Sequence, residues 1–170
     1  TQVPYSYSTF AHGKATFLLG YVTDDQPTLA TQGVKIGYLL ISKSGLDPYA
    51  DILFGLHSYV ESHKGLLTRF DGALAEGWQY YRNHGLTVNP TIHAANPATP
   101  TSLDNAIYKA ETSFIFGAEA ATKGIGTLTA MRVDAVYKSL EALKVLTKPM
   151  KLSTIVTTGL MPKKLPPARS

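Results

Sequence analysis

There is no cysteine in the chain, and that one absence excludes a disulfide framework, thiolate metal sites and a cysteine nucleophile together. Long apolar runs are missing too. A membrane-crossing helix needs roughly 20 consecutive apolar residues, and the longest candidates here, FLLGYV and YLLIS, are far shorter. The opening TQVPYSYSTF lacks the charged and apolar regions of a signal peptide, so the chain reads as soluble. Charge is also scarce. Asp, Glu, Lys and Arg make up 16 % of residues, against about 25 % in an ordinary globular domain. So little charge points to a surface that partners cover.

Acidic residues run out after Glu141. Beyond it Lys144, Lys148, Lys151, Lys163, Lys164 and Arg169 stand without a counter-charge, in a chain whose net charge is +4. A polyanion such as nucleic acid, or an acidic neighbouring subunit, is the natural partner for such an end; a solvated, solubilising tail is the alternative. Pro162, Pro166 and Pro167 keep this tail from continuing as a helix.

What is present is a helical pattern in a chain of 170 residues, one domain's worth. Residues 1–32 read as an extended N-terminal arm, because Thr, Tyr, Ser and Gly are dense and the apolar residues follow no 3.6 period. DDQPTLATQG reads as a loop, and VKIGYLLIS as helical, with a hairpin of ATFLLGYVT and VKIGYLLIS as the alternative. A helical core is expected over 33–148. Asp47 and Pro48 predict a helix start, and the stripe Ile52, Leu53, Leu56, Tyr59 and Val60 resumes as Leu66, Leu67, Phe70, Leu74, Trp78 and Tyr81. Gly85 should end it. The proline-rich stretch 86–100 then reads as a connector. Thr101 should cap a long helix running to Lys148, with a break near Gly124 and with Gly117, Gly124 and Gly126 allowing close helix packing. Residues 149–170 read as a basic extended tail. The expected fold class is mainly α, a small helical bundle with extended N- and C-terminal arms.

No catalytic pattern stands out, so no enzyme, cofactor or metal is expected. HSYVESH places His57 and Glu61 four apart on one helix face, but spacing supplies no third ligand. No GxSxG occurs, and the Asp24–Asp25 pair reads as part of a turn. KGIG and FDGALAEG lack the strand and helix context of a phosphate loop. Aromatics are more informative. Tyr5, Tyr7 and Phe10 cluster in the N-terminal arm, and WQYYRNH mixes rings with cations, with Trp78 and Tyr81 expected inside and Arg82 in a contact role.

Helical core, proline-rich connector, extended arms, low charge and no cysteine together resemble the layout of the major coat proteins of filamentous archaeal viruses. ANPATPTSLDNA is similar to the segment before a long helix in tobamovirus coat proteins. Ile107 and Tyr108 stand where that family has arginines, so no RNA-binding position carries over. The first resemblance implies a virion protein that assembles into a helical filament and packages nucleic acid, DNA in that family, through phosphate contacts. Arg82, Arg132, Lys144, Lys148 and Lys151 are then the nucleic-acid-binding candidates, and Tyr5, Tyr7, Phe10, Lys163, Lys164 and Arg169 the subunit contacts. The alternative is an accessory subunit of a large intracellular assembly, clamping its neighbours with its arms.

Overall fold

The structure, a computed structural model, describes residues 6–160. Among them it is mainly helical and contains no strand, as the 3.6-residue patterning predicts. The helices are α1 (Tyr7–Ala11), α2 (Val22–Thr31), α3 (His57–Ser62), α4 (Lys64–Ala95), α5 (Thr101–Ile115), α6 (Ala118–Lys123) and α7 (Ala130–Ala142), with 3-10 turns at Ile41–Ser44 and Leu152–Thr154. The chain divides into two units. One takes the described residues up to Tyr38 together with Tyr81–Gly117; the other takes Leu39–Tyr80 and the described residues from Ala118 onward.

In the first unit α2 packs against α5. Leu29 is its deepest apolar side chain, fully enclosed. Residues 22–31, expected as loop and arm, are therefore helical despite Pro27. Two tertiary features offset the missing proline N–H. Asp25 is buried and accepts a hydrogen bond from the Tyr7 hydroxyl at 2.8 Å, which ties α1 to α2. Gly33, at φ +74°, closes the helix: its N–H bonds to the Ala30 carbonyl and that of Val34 to Leu29, satisfying carbonyls that the helix end leaves open.

Helix α4 is the largest departure from local propensity. It was expected to stop at Gly85, and 86–100 to form a connector, but it continues through Pro90 to Ala95. Asn89 explains this, since it is completely buried and both ends of its amide are used. Its oxygen accepts from the Tyr81 hydroxyl at 2.7 Å, and its nitrogen donates to Asn105 Oδ1 at 2.7 Å. A buried, satisfied amide network of this kind outweighs the cost of one helix proline only because leaving it unmade is itself expensive. Gly85 has a packing role: a Cβ there would collide with the Tyr108 ring.

The structure corrects three further expectations. No helix begins at Asp47, because the Asp47 carboxylate and carbonyl both accept from Arg132 and so cannot cap. Residues 51–56 are irregular, and regular helix starts at His57. VKIGYLLIS forms neither a helix nor a hairpin; Val34–Leu40 is irregular and a 3-10 turn follows. The helix expected from Thr101 to Lys148 is three helices, interrupted at 116–117 and again at 124–129. Gly124 and Gly126 adopt φ +96° and +78°, so these glycines serve left-handed backbone where close helix packing was expected.

Candidate functional site

The second unit carries an open-mouthed cavity of about 270 Å³. One wall is a single face of α4, formed by Asp71, Leu74, Ala75 and Trp78, whose spacings of three, four and seven bring them onto one side of the helix. Asp51, Ile52 and Leu53 approach from the irregular segment before α3, Ile125, Gly126 and Leu128 from the loop between α6 and α7, and Thr157, Thr158 and Leu160 from beyond the last 3-10 turn. The lining is mostly apolar. Among the described residues its charged groups are two carboxylates, Asp51 and Asp71, with no Lys, Arg or His beside them. Partial burial raises the Asp71 carboxyl above the ordinary carboxylate range, because a desolvated charge without a cation is disfavoured.

Arg132 builds the frame beside this site. Its Nε donates to the Asp47 carbonyl at 2.7 Å, Nη2 to Asp47 Oδ1 and the Pro48 carbonyl at 3.0 Å each, and Nη1 to Glu119 Oε2 at 3.1 Å. Tyr49, whose ring the guanidinium covers, accepts from the Thr129 backbone N–H at 2.9 Å. These bonds tether the segment that leads into Asp51 to the loop that carries Leu128.

Arg132 is thus committed within its own unit. Lys144 lies just past α7 in a left-handed conformation, φ +55°, and is exposed, as are Lys148 and Lys151. Arg82, in the first unit, sits 5.0 Å from the centroid of the Phe116 ring. Tyr7 makes its contact inside the chain, to Asp25, and Phe10 is half-buried in α1. Tyr5, Lys163, Lys164 and Arg169 lie outside the described residues. In HSYVESH, Glu61 pairs with Lys64 at 2.8 Å and His63 stacks on Tyr59. Among the described residues no group of three His, Asp or Glu side chains is placed to hold a metal, and no helix is long and apolar enough to cross a membrane.

Sequence reasoning placed Leu74 and Trp78 on the apolar stripe but missed Asp71 and Asp51. The available signal was an acidic residue in register with the stripe: Asp71 stands three before Leu74 and seven before Trp78. Asp51 carried no signal of its own.

Residues 1–85, half of the chain, match the family described as NMT1/THI5 like. The chain belongs to the NMT1/THI5-like family. No curated protein and no solved structure matches it. Membership overturns the resemblance to filamentous-virus coat proteins, which rested on layout without a diagnostic motif. The virion location, filament assembly and nucleic-acid packaging fall with it. The physical reason for the error is that low charge and irregular apolar segments mark any incompletely self-covered surface, whatever covers it.

Proposed function

We propose that the protein binds a small molecule in the cavity walled by α4. One observation carries the reading: a concave, mostly apolar space into which a few polar groups converge, which is the usual build of a ligand site. At about 30 Å³ per water, 270 Å³ corresponds to a compact ligand of about nine or ten heavy atoms. Membership of the NMT1/THI5-like family supports it, since members of this family are typically periplasmic or extracellular substrate-binding proteins with a binding or transport-related role.

Trp78 makes the proposal easy to test, because it is the chain's one tryptophan and lines the cavity. A ligand entering there changes its fluorescence. Thr158→Phe fills the space from an exposed position where a larger side chain leaves the fold intact. Ligands found by native mass spectrometry should alter Trp78 emission and lose affinity in Thr158→Phe. Ligands that bind the variant equally well and leave the emission unchanged place binding elsewhere and reject the cavity.

A further inference from the structure

We infer that the ligand of this cavity is a small organic cation, an ammonium group on an apolar body, with Asp51 and Asp71 as its counter-charges. The inference rests on the cavity being the binding site and goes beyond it by assigning the chemical class. Ile52, Leu53, Leu74, Ala75, Ile125 and Leu128 supply apolar wall, which fits a hydrocarbon or aromatic body and is costly to leave facing water. Among the described residues of the lining, Asp51 and Asp71 supply the formal charge, and both are negative.

Three other ligand classes fit less well. An anion meets two carboxylates and, among the described residues, no basic side chain, so like-charge repulsion opposes it. A neutral molecule leaves the Asp71 carboxylate still more desolvated and without a partner, which costs free energy. A bare divalent ion needs several converging oxygen ligands, whereas this lining is dominated by hydrocarbon and its volume far exceeds that of an ion. An organic cation satisfies both halves of the site. Its charge offsets the burial that raises the Asp71 carboxyl, and its body covers the apolar wall. The Thr157 and Thr158 hydroxyls are additional acceptors for ammonium protons. Trp78 adds the aromatic ring type on which cations bind best.

The test uses three probes of nearly one size: 2-phenylethylammonium, 2-phenylethanol and phenylacetate. Calorimetry and Trp78 fluorescence are run on the wild-type chain, Asp71→Asn and Thr158→Phe. The expected result is that the ammonium binds about tenfold or more tighter than the alcohol, the scale of one charge-assisted contact, while the carboxylate does not bind. Asp71→Asn should lower the ammonium-to-alcohol ratio severalfold, with Asp51 left as the remaining counter-charge. If the alcohol and the ammonium bind the wild-type protein alike, or the ratio survives Asp71→Asn, the cation assignment is overturned while the cavity stands. If no probe binds, or Thr158→Phe binds all of them as well as wild type, the cavity reading itself is overturned and the cation assignment goes with it.

Discussion

The guanidinium of Arg132 lies 4.0 Å from the centroid of the Tyr49 ring, and the same side chain bonds to Asp47, Pro48 and Glu119. One residue thereby joins α6, α7 and the segment leading to the cavity. Arg132→Ala removes all of these contacts and should destabilise the protein by about 2 kcal/mol, the scale of a broken hydrogen-bond and ion-pair network discounted for its partial exposure. Arg132→Lys should recover less than half, because a point charge cannot reproduce the planar fork or its stacking. Urea denaturation measures both. A loss below about 0.5 kcal/mol in the alanine variant, the range of ordinary surface substitutions, would show the cluster to be energetically idle.

The same cluster predicts an acid dependence. Burial raises the Glu119 carboxyl, but hydrogen bonds from Thr129 and Arg132 and the charges of Arg132 and Lys123 outweigh it and hold the group below its ordinary value of 4.5. A depressed carboxyl contributes stability that is present above pH 4.5 and is lost as pH falls through the lowered folded-state value. The acid limb of the stability curve should be shallower in Arg132→Ala. Parallel limbs in variant and wild type contradict the assignment.

Two glycines in α4 should respond to alanine with opposite signs. A Cβ at Gly77 meets nothing within 4 Å, whereas at Gly85 it would run into the Tyr108 ring. Gly77→Ala should stabilise by about 0.5–1 kcal/mol, through helix propensity alone. Gly85→Ala should destabilise by about 1–3 kcal/mol, since overpacking exceeds the propensity gain. Thermal melts of the pair decide it, and equal signs would mean that the Gly85–Tyr108 approach is not what keeps glycine there.

Tyr81 should titrate late. Burial, with Glu111 and Asp104 adding to it, pushes its hydroxyl from 10.0 up to about 12, against the opposing hydrogen bond to Asn89. A raised folded-state value means stability that is complete below pH 10.0 and is lost as pH rises towards about 12. Phenolate absorbance should contain a component near pH 12 that vanishes in Tyr81→Phe. Asn89→Ala should cost about 2 kcal/mol, because a fully buried amide loses its hydrogen bonds to two half-buried groups, the Tyr81 hydroxyl and Asn105 Oδ1. An unchanged alkaline titration in Tyr81→Phe would assign the late component to another tyrosine.

Lys144 occupies φ +55° at the close of α7, where Val145 N–H reaches the Leu140 carbonyl and Lys144 N–H that of Glu141. This is the position that glycine usually fills after a helix. Lys144→Gly should stabilise by about 1 kcal/mol. Destabilisation would mean that the lysine stem contributes packing worth more than the strain.

The mainly helical class was legible in the sequence, because amphipathic periodicity is a local property that survives whatever the rest of the chain does. So were the beginning of a helix at Thr101, although Pro100 takes the cap position expected for Thr101, and the α4 stripe through Leu74 and Trp78. Tertiary structure decided the remainder, and in each case a contact distant in sequence outweighed a local preference of about 1–3 kcal/mol. Asn89 and Tyr108 carry α4 through Gly85 and Pro90, the Tyr7 hydroxyl and the packing of α2 on α5 hold a helix around Pro27, and Arg132 takes Asp47 away from capping. The cavity belongs to this second group as well. Asp51 and Asp71 stand 20 positions apart in the sequence, with no spacing rule to relate them, and they line one space only because the folded second unit brings its segments together around a single face of α4.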